Sequence, residues 1–220
     1  MIQVKICGIT NEEDALRAAD CGADALGFIF YPLSPRYIKP VDVRKLIRVL
    51  PVELVKVGVF VNEKTDEIKK VMKYCGLDMI QLHGDEKPEF CREFPSAQVI
   101  KAVELKNEAD FVYAKSYHVG AILVDSRHAG LYGGTGRKAN WDFACRIKNK
   151  KPLILSGGLN EDNIAQAIKD VAPHALDINS GVESEPGKKD HAKLARIFDI
   201  IRAVDTAPDN ALLIFTKREK

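Results

Sequence analysis

Paired cysteines at metal or redox spacing are missing from this chain of 220 residues. Its five cysteines, Cys7, Cys21, Cys75, Cys91 and Cys145, form no CxxC or Cys/His pattern. An odd, scattered set argues against a disulfide framework or a zinc site and reads as reduced thiols in a cytoplasmic protein. Long hydrophobic runs are also missing: none approaches the ~20 residues of a membrane span. The chain starts Met-Ile-Gln-Val-Lys, already strand-like, with no signal peptide in view. An excess of one charge is missing too. With 33 basic and 31 acidic residues the net charge is +2, which gives no electrostatic case for nucleic acid or a membrane as partner. The one local basic cluster, Lys148 to Lys151, suits the solvated end of a helix. No GxGxxG follows the first strand candidate, which weakens a dinucleotide-binding reading.

What is present is ample apolar material, 46% of residues, in a regular alternation. Short runs rich in Val, Ile, Leu and Phe occur at Gln3–Cys7, Ala25–Phe30, Leu54–Phe60, Met79–Leu82, Gln98–Val103, Gly120–Val124, Leu153–Leu155 and Ala175–Ile178. They show little polar alternation, as strands covered on both faces should. Helical patterns lie between them, at Glu12–Cys21, Val41–Val49, Thr65–Cys75, Lys87–Phe94, Glu108–Ser116, Trp141–Lys148, Glu161–Lys169 and His191–Val204. Asn11 is a natural N-cap for the first. Gly22, Gly76 and Gly120 follow helix ends, where a left-handed residue is expected. Eight strand–helix repeats predict an α/β fold, one (β/α)8 TIM barrel of parallel strands over residues 1–205, with a tail at 206–220 that receives no function. A doubly wound open sheet is the runner-up, because strand count alone does not exclude it.

A barrel carries its active site at the C-terminal ends of its strands. Cys7 ends the first, Arg36 lies in the loop after the second, and Gln81 and His83 stand at the end of the fourth. Asp125 ends the sixth and Asp177 lies in the eighth. Each has a plainer reading: Cys7 as core filling, Asp125 as a turn cap, His83 as a turn residue, Arg36 as an ordinary surface arginine. Gly157 and Gly158 after strand seven, and Ser180 and Gly181 after strand eight, form the stronger pattern. Glycine lets backbone N–H groups close on an anion, a helix opening near Ser180 would add donors, and these two loops hold phosphate in many barrels. Glu161 and Asp162 would repel phosphate if close, so the anion should lean on the four loop residues. Two ordinary glycine turns are the alternative.

The residues then resemble a known family. Lys5-Ile6-Cys7-Gly8-Ile9-Thr10, Gly22-Ala23-Asp24, Gly27-Phe28-Ile29-Phe30, Ser34-Pro35-Arg36 and Gln81-Leu82-His83-Gly84-Asp85-Glu86 look like phosphoribosylanthranilate isomerases. So do Gly133-Gly134-Thr135-Gly136, Ser156-Gly157-Gly158-Leu159, Ser180-Gly181-Val182-Glu183 and Pro186-Gly187-Lys188-Lys189-Asp190, all in the family's order. The resemblance implies an Amadori rearrangement of a phosphorylated aminosugar in tryptophan biosynthesis, without metal or organic cofactor. It implies Cys7 as general base, Asp125 as general acid, and Arg36 as partner of the anthranilate carboxylate, with Gln81, His83 and Asp177 lining the pocket. Asn179 and Ser156 depart from the serine and alanine common in the family, and residues 137–140 lack its usual aromatic. Two readings stay open beside it. One is the related barrel isomerase of histidine biosynthesis, for which carboxylates at both proton-transfer positions and two phosphate sites would be expected. The other is a non-catalytic barrel that binds a phosphorylated ligand. Nothing in the sequence decides between a monomer and a homodimer.

Overall fold

A computed structural model describes residues 1–125, 141–204 and 212–217. The eight short apolar runs are strands: β1 (Gln3–Cys7), β2 (Ala25–Ile29), β3 (Val55–Phe60), β4 (Met79–Leu82), β5 (Val99–Val103), β6 (Ala121–Val124), β7 (Leu153–Leu155) and β8 (Ala175–Ile178), every residue of them buried. Each pairs in parallel with its neighbours in sequence, and β1 also pairs with β8, so the sheet closes. Closure excludes the open doubly wound sheet.

Helices α1 (Glu12–Cys21), α2 (Pro40–Ile47), α3 (Thr65–Cys75), α4 (Pro88–Cys91), α5 (Glu108–Ala114), α6 (Trp141–Lys148), α7 (Ile164–Val171) and α8 (His191–Val204) follow the strands in turn. The Asn11 side chain accepts the Asp14 N–H at 2.8 Å, as an N-cap should, which typically contributes ~1 kcal/mol. Gly22 and Gly76 end α1 and α3 in the left-handed region, at φ 104° and 75°. Gly120 does not: it leads into β6, where a Cβ would press on the Ala97 backbone at 3.1 Å, so close packing replaces the expected helix end. The seventh helix starts at Ile164, later than its periodicity suggests, because the Asn160 and Asn163 side chains bond backbone N–H groups and hold residues 160–163 in a turn. A small antiparallel hairpin, β9 (Glu183–Glu185) and β10 (Lys188–Lys189), fills the connection after β8. No sequence period announced it.

The period of two in each strand sorts side chains into two cores. Val4, Ile6, Leu26, Phe28, Ile80, Ile122 and Leu176 face outward under the helices. Val57, Met79, Ile100, Leu123 and Ile154 fill the lumen. In β1 the lumen side carries Gln3, Lys5 and Cys7, so this strand sends polar groups into the barrel. No helix among the described residues is long and apolar enough to cross a membrane.

The lumen floor is sealed from outside the repeats. Ile214 and Phe215 are buried against it. Gln3 accepts both their N–H groups, at 2.6 and 2.9 Å, and donates to the Phe215 carbonyl at 2.9 Å. A glutamine amide satisfies an extended backbone in this way, and the phenyl ring supplies the apolar burial. Phe215→Ala is therefore expected to destabilise by about 3 kcal/mol, at the lower edge of such truncations, with a Tm lower by roughly 6–12 °C. Turnover should be unchanged, since the floor lies opposite the strand ends that carry the chemistry. A Tm within about 1 °C of the parent would mean that residues 212–217 add no stability.

Candidate active site

At the C-terminal strand ends lies an open cavity of about 650 Å³, lined by residues of seven of the eight strand–loop units. Of the residues singled out in the sequence, Cys7, Arg36, Gln81, His83, Asp125, Gly157, Gly158, Asp177 and Ser180 all line it. Gly181 does not. A Cβ there would stand 1.9 Å from the Leu159 carbonyl oxygen, so this glycine lets the loops after β7 and β8 touch.

The floor of the cavity is the thiol. Cys7 is buried with Ile29 and Val59, and Tyr31 packs against them. Beside it on β2, Gly27 leaves the space that sulfur needs: a Cβ would meet Cys7 Sγ at 2.7 Å and Lys5 Nζ at 2.9 Å. Burial pushes the thiol above its ordinary value, Lys5 pulls it down, and the net direction is upward. Asp177, facing Lys5 in register across the β1–β8 pair, takes its ammonium at 2.6 Å and accepts the Ser156 hydroxyl at 3.3 Å. Asp177 is thus committed to protein partners and does not stand free in the cavity.

Opposite the thiol, Gln81 Nε2 stands 2.7 Å from His83 Nδ1. An amide nitrogen can only donate, so Nδ1 accepts and a neutral ring carries its proton on Nε2. Nε2 points to Asp125 Oδ2 at 3.3 Å, an ion-pairing distance at an angle short of a hydrogen bond. Asp125 Oδ1 has no hydrogen-bond partner among the described residues. The loop carrying His83 is pinned from behind. Glu86 accepts the N–H groups of Gly84 and Asn62 and the ammonium of Lys101, the last at 2.8 Å with both side chains buried.

Two regions of the rim suit anions. Gly157 and Gly158 are successive left-handed residues, at φ 91° and 69°, and neither donates its N–H to backbone among the described residues. Ser180–Val182 forms a 3₁₀ turn beside them. Glu161, which would repel an anion, is turned outward to Arg196 at 2.8 Å. Arg36, from the loop after β2, is held by Glu183, with Nε at 2.9 Å and Nη2 at 2.6 Å. Glu183 also takes the buried ammonium of Lys189 at 3.0 Å. Burial works against the Glu183 carboxylate, but Arg36 and Lys189 hold it below its usual range. Two cations against one carboxylate leave a positive surplus there.

Sequence reasoning passed over Glu183, Lys189 and Lys5. Lys5 carried a usable signal, a charge two residues from Cys7 within a buried strand and so on the same face. The glycine-rich stretch Gly133–Gly136 and residues 137–140 fall outside the described residues. Among the described residues, no group of three His, Cys, Asp or Glu side chains is placed to hold a metal ion.

The chain is similar to known proteins over most of its length. The family model for N-(5′phosphoribosyl)anthranilate (PRA) isomerase matches residues 4–200. The N-(5′-phosphoribosyl)anthranilate isomerase of Syntrophus aciditrophicus is 52% identical over 202 residues, 92% of this chain and 88% of that one. The crystal structure of phosphoribosyl anthranilate isomerase from Thermotoga maritima superposes with a TM-score of 0.86 at 45% identity, covering 92% of this chain and all of that one. A second solved structure, of a phosphoribosyl anthranilate isomerase in complex with reduced 1-(o-carboxyphenylamino)-1-deoxyribulose 5-phosphate, gives 0.82 at 43%, with the same coverage. With a family match running nearly its whole length and a relative sharing half its residues, the chain belongs to the N-(5′-phosphoribosyl)anthranilate isomerases, enzymes of tryptophan biosynthesis.

Proposed function

We propose that this chain carries out the family's rearrangement with Cys7 as general base and Asp125 as general acid. The observation that supports it is that Cys7 and Asp125 line one cavity together with Gly157, Gly158 and Arg36. A substrate with phosphate at one end and anthranilate carboxylate at the other suits those groups, with its sugar over the thiol and the carboxyl.

Two proton movements make up the chemistry. Asp125 gives its proton to the ribose ring oxygen, the C1–O bond breaks, and the nitrogen lone pair forms the C1=N bond of a protonated Schiff base. Cys7, as thiolate, takes the C2 proton; the C–H electrons form C1=C2, and the C1=N π electrons return to nitrogen. The resulting enolamine becomes the ketone when the C2 hydroxyl gives up its proton, its O–H electrons form C2=O, and the C1=C2 electrons take a proton at C1. With His83 Nδ1 engaged by Gln81, the other ring nitrogen, Nε2, is the one turned to Asp125, and the ring positions that carboxyl for the transfer. A carboxyl at one proton-transfer position and a thiol at the other favours this substrate over that of the histidine-pathway isomerase.

The phosphate rests on backbone N–H groups around Gly157, Gly158 and Ser180, with Gly181 holding the two loops together. The carboxylate of anthranilate meets Arg36 on the guanidinium edge that Glu183 leaves open. Arg36→Met removes one charged, two-point contact, so kcat/KM for phosphoribosylanthranilate, followed by its fluorescence decay, should fall roughly 10- to 100-fold. Arg36→Lys should fall less, because lysine keeps the charge and loses the fork. An analogue lacking the carboxylate should be nearly indifferent to either change. Equal losses on both substrates would make Arg36 a loop support. A parent protein that bound the product without turning over substrate would be a binding barrel.

A further inference from the structure

We propose that the Lys5 ammonium, clamped by Asp177, is the fixed counter-cation of the Cys7 sulfur and offsets part of the cost of ionising it under the substrate. Lys5 is a positioning residue, acting through Cys7. Its catalytic consequence rests on the reading of Cys7 as the base, but its effect on the thiol does not.

The geometry begins in β1. Residues 5 and 7 share the lumen face, so the lysine stem runs beneath the thiol and its side chain has no exposure to solvent. A single point beside Gly27 lies 2.7 Å from the sulfur and 2.9 Å from the ammonium nitrogen, and the ammonium acts on the thiol as a coulombic neighbour. Gly27 supplies the third wall: any side chain there would occupy the space in which Sγ and Nζ meet. A buried lysine ordinarily sheds its proton, since burial disfavours the charged form. Here burial lowers and Asp177 and Cys7 raise, and the net direction is upward, so Lys5 stays charged. It therefore has no lone pair to act as a base itself.

The other charges around the sulfur are few. Asp177 on β8 opposes a thiolate and Lys189 on β10 favours one from farther away. The neighbouring strands β2 and β3 present only Gly27, Ile29 and Val59. Arg36, His83 and Asp125 line the same cavity. Asp177 is drawn away from the sulfur at both oxygens, one on Lys5 and the other on the Ser156 hydroxyl. Among the described residues Lys5 is thus the cation seated beside the thiol at Gly27, and a cation beside a thiol favours its ionised form.

The test reads Cys7 directly, by the rate of its alkylation with iodoacetamide against pH, followed by peptide mass spectrometry in the full chain. Lys5→Met should slow alkylation about tenfold near neutral pH, the effect of losing one close opposite charge. The rates should converge at high pH, where both thiols are ionised. Lys5→Met strands Asp177 without its partner, so a second variant, Lys5→Met with Asp177→Asn, removes both charges; such replacements are commonly tolerated. It should show the same displacement in smaller measure. A slowing equal at every pH would reflect access alone and overturn the proposal, as would unchanged profiles in the double variant. If alkylation shifts while the rising limb of kcat/KM against pH stays in place, the role of Lys5 stands and Cys7 is not the base.

Discussion

Cys7→Ala is expected to lower kcat at least about 10²-fold, the lower end for loss of a general base, with the fold intact. Among the described residues the charged groups near the sulfur are committed to partners, Asp177 to Lys5 among them. Lys5 holds its proton against Asp177, and Lys189 is tied to Glu183 and the Asn179 side chain. The barrel should tolerate the change, because alanine is smaller than cysteine and the outer core packs independently of this layer. Circular dichroism beside single-turnover rates separates the outcomes. Near-normal turnover would remove the thiol from the reaction. The parent's pH profile follows from the same residue. With the thiol held upward by burial, the reactive thiolate gains population as pH rises, so kcat/KM should still climb above neutrality.

Asp125→Asn is expected to cost roughly 10²- to 10⁴-fold in kcat while leaving affinity for a product analogue within a few-fold. The amide keeps the volume and the contact with His83, yet has no acidic proton for the ring oxygen. Ring opening should then become limiting, and a substrate that already presents the open Schiff base should be turned over almost normally. That rescue is the discriminating measurement. Collapse of analogue binding with kcat retained would mean that Asp125 shapes the end of β6 and does no chemistry.

The barrel was legible in the sequence because its signals are local. Each strand is a four- to six-residue apolar run, and each helix start and stop uses residues within a turn of it, such as Asn11 and Gly22. Boundaries moved where a side chain answered a backbone group that periodicity cannot see, as Asn160 and Asn163 did at α7. The hairpin Glu183–Lys189 escaped because two- and three-residue strands carry no period.

The site divides along the same line. Once parallel order and closure are granted, every residue at a strand end must reach one rim, so the sequence by itself determined which side chains share a cavity. What each one does there depends on partners far along the chain. Lys5 meets Asp177 across 172 residues, Arg36 meets Glu183 across 147, and Gln3 meets Phe215 across 212. These pairings turned Asp177 from a free pocket carboxylate into a lysine clamp, gave one edge of Arg36 to a glutamate, and made the tail a floor for the barrel. Only the tertiary structure decided them. A charge pair or an amide clamp requires atoms within about 3 Å, and that proximity is set by strand register and the angle at which the sheet closes, neither of which is a property of any local stretch of sequence.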